Sequence, residues 1–237
     1  MVTARNYPDY FPYGVSVAVR NLEYAVDVNI GLPYVCNLGA PLALSTTAIH
    51  VSPALTTGVI NTFTLTSASP ILLGGLVPHN SLTVRAGWGR GLTFVADGAG
   101  TRTITVDGYD YLGQLMRWTG ALNGTTPVPV PKAFQWLTSI SYGAAADTVV
   151  VSVGYNNVFG LPYTLVQNIA ENKNYAAAAN AGTFVAGLVE GTAATATNAD
   201  VRGTYLPVTV IPDGTNIFEV IYQPRRGNLH GAAQFSA

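Results

Sequence analysis

Between Gly87 and Gly154 the chain alternates apolar and polar residues in short runs separated by glycine-rich turns. Ile104 and Val106 fall on one side of such a run, with Thr103, Thr105 and Asp107 on the other. Phe134, Trp136, Ile140 and Tyr142 likewise share a side, opposite Gln135, Ser139 and Ser141. A period of two puts successive side chains on opposite faces of a strand, so these runs read as strands with one buried face. Asn123-Gly124 has hairpin-turn chemistry, because both residues tolerate positive φ. The stretch reads as an antiparallel meander in an all-β chain, and it shows no catalytic apparatus.

Composition narrows what such a chain can do. Its 237 residues suit one large all-β domain or two small ones. A net charge of −1 supplies no basic field for nucleic acid. Charged residues make up 10% of the chain, against about 25% in ordinary globular domains. A free monomer with so few charges is poorly protected against association. Either a membrane or a protein partner must cover much of the surface. A spanning helix needs roughly 18 or more apolar residues in a row, and no such run occurs. The first ten residues lack the basic and apolar regions of a signal peptide. Barrel strands alternate for about 10 residues, whereas these runs are shorter and broken by proline. The expectation is therefore a partner-covered surface and no membrane. The single cysteine, Cys36, excludes an internal disulfide framework and reads as a small buried apolar residue. The lack of disulfides fits assembly in a reducing cytoplasm.

Residues 1–14 carry Tyr7, Tyr10, Phe11 and Tyr13 among prolines that favour extended backbone. Two readings stand side by side: an arm lying on a neighbouring surface, and an arm folded back on its own domain. On the first, Tyr7, Tyr10, Phe11 and Tyr13 are the candidate partner-contact residues. Val15 to Val28 suggests two short strands, and the turns at Gly31 and Gly39 mark a boundary. The expected division is residues 1–40 as an N-terminal arm with short strands and residues 41–237 as a β-sandwich domain. Strands are expected at Ile60 to Leu65, at Ser81 to Arg85 and from Ile217 to Tyr222. Residues 125–131, Thr-Thr-Pro-Val-Pro-Val-Pro, must be extended and cannot sit inside a sheet. Tyr175 to Ala179 has room for a turn or two of helix, and Thr192 to Asn198 reads as an exposed loop.

No chemistry-bearing constellation stands out. His50, His79 and His230 have no carboxylate or cysteine at ligand spacing. Asp107 and Asp110 flank Gly108-Tyr109, but aspartate and glycine are also what a tight turn uses, and no glutamate follows at calcium-loop spacing. The glycines at 87, 89 and 91 lack the helix and the Lys-Ser/Thr of a phosphate loop. Trp88, Trp118 and Trp136 would suit stacking on sugars, but core or interface aromatics are the more ordinary reading. No catalytic, cofactor-binding or metal-ligating residue is named, and no cofactor is expected.

The succession Arg90-Gly-Leu-Thr-Phe, Ile104-Thr-Val-Asp-Gly-Tyr-Asp-Tyr-Leu-Gly, Leu122-Asn-Gly-Thr-Thr, Lys132-Ala-Phe-Gln-Trp-Leu-Thr-Ser-Ile and Val149-Val-Val-Ser-Val-Gly resembles a β-domain of tailed-bacteriophage virion proteins. Val158-Phe-Gly-Leu-Pro-Tyr and Asp200-Val-Arg-Gly-Thr-Tyr-Leu-Pro resemble later segments of that group. Such proteins are similar to capsid decoration, or cement, proteins. The resemblance implies an antiparallel, jelly-roll-like β-sandwich with an extended N-terminal arm. It implies a non-enzymatic structural role on the capsid surface, with the major capsid protein as partner and a homo-oligomer, trimer or dimer, as the working form. Assembly would take place in the host cytoplasm. The alternatives are a tail, baseplate or collar component of the same fold, or a carbohydrate-binding β-sandwich using the tryptophans.

Overall fold

A computed structural model of the chain describes residues 33–65, 88–170, 182–188, 200–225 and 229–234. Among these residues every regular element is a strand. In chain order they are β1 (Tyr34–Gly39), β2 (Ser45–Val51), β3 (Asn61–Thr64), β4 (Arg90–Ala96), β5 (Thr103–Tyr109), β6 (Leu115–Ala121), β7 (Val128–Pro129), β8 (Trp136–Tyr142), β9 (Val151–Gly160), β10 (Leu165–Ala170), β11 (Gly182–Ala186), β12 (Gly203–Pro207) and β13 (Phe218–Pro224). The chain is all-β with antiparallel sheets, as its period-two runs imply. Tyr7, Tyr10, Phe11, Tyr13, the runs at Val15–Val28 and Ser81–Arg85, the turn at Tyr175–Ala179, the loop at Thr192–Asn198 and His79 all lie outside the described residues.

The strands form three sheets, ordered β1-β13-β10, β11-β12-β9-β4-β7 and β3-β8-β5-β6. In the second sheet β9 is the spine. Its ten residues pair with β4 from Val151 to Phe159 on one side. On the other side β2 pairs with Ser152, Val153 and Tyr155, and β12 pairs with Phe159 and Gly160. One strand thus serves two hydrophobic cores. The first gathers Leu92, Phe94, Val151 and Val153 of β4 and β9 with Ile104, Val106, Met116, Trp118, Ile140 and Tyr142 of the four-stranded sheet. Trp118 stacks on Phe94 at 6.0 Å between ring centroids. The second gathers Phe159 with Cys36, Leu38, Tyr205, Phe218, Val220 and Tyr222. Burying each large side chain contributes about 1.5–3 kcal/mol.

The region from Gly87 to Gly154 is not a meander. β4 leaves its sequence neighbour β5 and pairs with β9 and β7, while β5 pairs with β6 and β8. The chain changes sheet four times, at β4–β5, β6–β7, β7–β8 and β8–β9. Between β6 and β7 it turns at Asn123–Thr126, where Thr126 N–H donates to the Asn123 carbonyl at 3.0 Å and Gly124 takes φ +55°. Around Phe134 it changes back, since Phe134 bridges to Arg90 of β4 while β8 pairs with β5. The proline-rich segment 125–131 supplies only the two-residue β7, at a sheet edge where a missing N–H is tolerated.

The expected face of β8 is also revised. Ile140 and Tyr142 are buried, but Leu137 is buried in place of Trp136. The β5–β8 register slips between Asp107 and Gly108, which pair with Ser139 and Leu137 respectively. The extra residue, Thr138, donates its hydroxyl to the Asp107 carbonyl at 3.0 Å. A bulge shifts the alternation by one, and so reverses every side chain beyond it. In β13 the alternation holds: Phe218, Val220 and Tyr222 are buried, and Glu219 and Ile221 are half-buried. β1, within the segment 1–40, pairs along its length with β13.

Gly154 shows how tightly β9 is enclosed. A Cβ there would stand 1.7 Å from the Ser45 carbonyl oxygen of β2. Replacing it with alanine forces β2 off β9. Gly154→Ala should therefore cost about 1–3 kcal/mol in urea unfolding, the usual price of overpacking. Gly113→Ala meets no atom within 4 Å; its cost comes only from a φ of +76°.

Candidate functional site

The feature that composition does not reveal is where the few charges go. Six of the eleven lysines and arginines are described: Arg90, Arg102, Arg117, Lys132, Arg202 and Arg225. Four of the six, Arg90, Arg102, Lys132 and Arg202, are at most 2% exposed. Buried cations are costly unless their donors are met; each of these has acceptors of its own, although Arg90 Nη1 and Arg202 Nη1 have none among the described residues.

Arg90 begins β4 in the run Trp88-Gly-Arg-Gly-Leu. Its Nε donates to the Asn156 carbonyl, and its Nη2 to the Leu42 carbonyl at 2.8 Å and to Asn157 Oδ1 at 3.0 Å. The guanidinium also lies 4.3 Å from the Tyr155 ring centroid. Burial lowers its pKa to about 10, partly opposed by Tyr155. Arg102 donates to the carbonyls of Thr56 (2.9 Å), Val59 (2.9 Å), Gly143 (3.1 Å) and Ala145 (3.2 Å), and to both the carboxylate and the carbonyl of Asp147. One side chain thereby fastens two loops, 56–59 and 143–147, beside the first core.

Arg202, just before β12, pairs with buried Asp110 at the end of β5, and its guanidinium lies 4.8 Å from the Tyr111 ring centroid. Asp110 Oδ1 also accepts the N–H groups of Leu112 (2.7 Å) and Gln114 (2.9 Å), closing the β5–β6 turn. Nearby, Asp200 accepts the N–H of Ala133 and its own chain's Arg202 N–H, both at 3.0 Å. Burial raises the Asp200 pKa above the usual carboxylate range, opposed chiefly by Arg202. This group joins the four-stranded sheet of the first core to β12 of the second.

Lys132 donates to the Arg117 carbonyl at 2.9 Å. Leu122 N–H bonds the Arg102 carbonyl and Asp110 N–H bonds the Gln114 carbonyl, so the even-numbered residues of β5 and β6 bond each other. The Arg117 carbonyl then points away from β5, along the outer edge of its sheet. Lys132 caps that edge. Burial lowers its pKa to about 8, with Asp200 opposing.

Of the residues weighed from sequence, Asp107 forms a partly exposed ion pair with Arg117 at 2.7 Å, and Asp110 serves the turn and Arg202. The two carboxylates do not work as a pair. Cys36 is buried in the second core, where its thiol is pushed up by desolvation. His50 packs on Phe63 and His230 on Tyr163. Trp118 is in the core, while Trp88 is half-buried against Tyr111 at 4.9 Å. Among the described residues no group of three or more His, Cys, Asp or Glu is placed to hold a metal. An open depression of about 430 Å³ between the turns at Gly98–Thr101 and Asn123–Thr125 has no ionisable lining. Sequence reasoning missed the buried cations. The available signal was their setting: Arg90 and Lys132 sit inside apolar, glycine- or proline-flanked runs.

What the described surface does offer is apolar. Thirteen large hydrophobic side chains are at least 37% exposed, among them Leu42, Leu44, Val59, Ile60, Val208 and Ile211. No protein-family model, curated protein or solved structure matches the chain.

Two predictions follow from the charges. Asp110→Ala leaves Arg202 buried without its carboxylate and should cost about 3–5 kcal/mol. The double variant Asp110→Ala/Arg202→Met should cost less than the sum of the single changes in a double-mutant cycle. Lys132 predicts a pH dependence. Below pH 8 both folded and unfolded chains carry its proton, and the burial cost is complete. Between about 8 and 10.5 the folded chain has released a proton that the unfolded chain still holds, so the burial cost is progressively relieved and stability rises with pH. Cys36 acts in the opposite sense above pH 9, so the comparison is with Lys132→Met at each pH. The wild type should gain about 1 kcal/mol on that variant from pH ~7.5 to ~9.

Proposed function

We propose that this chain is a non-enzymatic structural protein of a tailed-phage virion, which binds the capsid exterior and stabilises the shell by bridging major capsid protein subunits. The observation that carries this reading is the surface. A charge-poor sequence places four of its six described cations inside, and leaves thirteen large apolar side chains outside. Such a surface suits wide contact with other protein, and the resemblance of residues 80–222 to virion β-domains points to a capsid as that protein. A ligand that binds only the assembled shell stabilises it by mass action. In this reading the three sheets belong to a jelly-roll-like β-sandwich, and the segment before β1 serves as an arm whose Tyr7, Tyr10, Phe11 and Tyr13 touch the neighbouring capsid subunit. The protein acts as a small homo-oligomer and needs no cofactor.

The test is co-sedimentation of purified protein with expanded shells that lack it. Saturable pelleting at many copies per shell is expected. Deleting residues 1–14 should leave the circular-dichroism spectrum and melting transition intact and weaken shell binding by about tenfold or more. Full-length protein that stays in the supernatant contradicts the proposal.

A further inference from the structure

The outer face of the four-stranded sheet is laid out in rows by its pairing register. Leu115 of β6, Tyr109 of β5 and Trp136 of β8 stand directly across from one another. Leu115 is 48% exposed, and both aromatic side chains are half-buried. The next row is Arg117, Asp107 and Ser139, in which the Asp107 carboxylate accepts Arg117 Nε at 2.7 Å and Nη2 at 3.1 Å. Beyond it Thr119, Thr105, Ser141 and Thr62 cross all four strands. Their hydroxyls meet in pairs, Thr105 with Thr119 at 3.5 Å and Ser141 with Thr62 at 3.2 Å.

The bulge at Thr138 makes this face. Without the extra residue, Trp136 would fall on the side of Ile140 and Tyr142, in the first core. With it, Leu137 turns inward and Trp136 comes to the side of Ser139 and Ser141. Bulges re-aim single side chains and recur beside functional sites. A sheet face that meets only water gains nothing from a large aromatic turned out of the core.

The chemistry of the three rows selects their occupant. Their only charges are Arg117 and Asp107, which meet each other. With no net charge, the face does not attract nucleic acid or a charged peptide. An apolar protein surface would strip water from the ion pair and the hydroxyls and return no hydrogen bond. A sugar ring matches both halves, having an apolar C–H face and a rim of uncharged hydroxyls. The C–H face lies on Tyr109 and Trp136, whose ring faces are apolar. The sugar hydroxyls reach the Asp107–Arg117 pair and the threonine–serine row, where a hydroxyl engaged once keeps spare hydrogen-bonding capacity. We propose that the sheet face running from Tyr109 and Trp136 to Thr119 and Thr62 binds an uncharged polysaccharide. The inference does not rest on capsid attachment, and its test uses no capsid, so the two can fail separately.

The experiment is affinity electrophoresis of the full-length protein through gels holding hydroxyethylcellulose, dextran or galactomannan, with alginate as a charged control. The wild type should be retarded by at least one of the three neutral polymers. Tyr109→Ala/Trp136→Ala should raise the dissociation constant for that polymer by about tenfold or more. Trp88→Ala, which alters a tryptophan packed on Tyr111 instead, should match wild type. If the Tyr109/Trp136 variant loses its cooperative melting transition, Thr62→Val/Thr119→Val replaces it, with weakened binding again expected. Free migration of the wild type through all three neutral polymers overturns the proposal. So does retardation by alginate alone, or binding to a neutral polymer that the folded face variants leave unchanged.

Discussion

A guanidinium or ammonium group taken out of water must find an acceptor for its protons, and the architecture of this protein is shaped by where four such groups find theirs. Arg102 takes carbonyls from two loops and both oxygens of Asp147's carboxylate-and-carbonyl pair. Arg90 reaches from β4 across β9 to the β1–β2 loop. Lys132 covers an edge carbonyl, and Arg202 ties β12 to the end of β5. Hydrogen bonds to charged groups contribute about 1.5–3 kcal/mol each, and orphaning such a group costs more than the bond was worth. Irregular segments that would otherwise drift are thus fixed by a few costly internal charges.

The same groups link the two cores. β9 delivers Val151 and Val153 to the first core and Phe159 to the second. The Asp110–Arg202 pair crosses between the same two regions. Apolar packing supplies the bulk of the stabilisation, but it is non-directional. The ion pair and the backbone carbonyls add direction, fixing which loop meets which strand.

Parts of this were legible in the sequence for a physical reason. Ile104 and Val106 declare their shared face, and the run from Ile217 to Tyr222 declares a strand, because strand periodicity is local. So does the proline run, which can only lie at an edge. The pairing of β4 with β9 was not legible, because it depends on loop closure over more than fifty residues and leaves no local mark. Trp136 was misplaced because a bulge opposite β5 reset the alternation, and the bulge is a property of the pair of strands. The low charge count is plain in the sequence, but a count does not say which charges are inside.

Internal charge and external apolarity are two sides of one arrangement: the cations hold loops that expose hydrophobic side chains, and in the proposed function those side chains meet other protein. The most direct test of that claim is the salt dependence of attachment to capsid shells. Contacts between exposed charges weaken as the screening length shortens, whereas apolar contacts do not. Between about 50 mM and about 500 mM salt, the dissociation constant should stay within about twofold. A loss of affinity of about tenfold or more over that range would mean that the attachment is ionic, and would contradict the account.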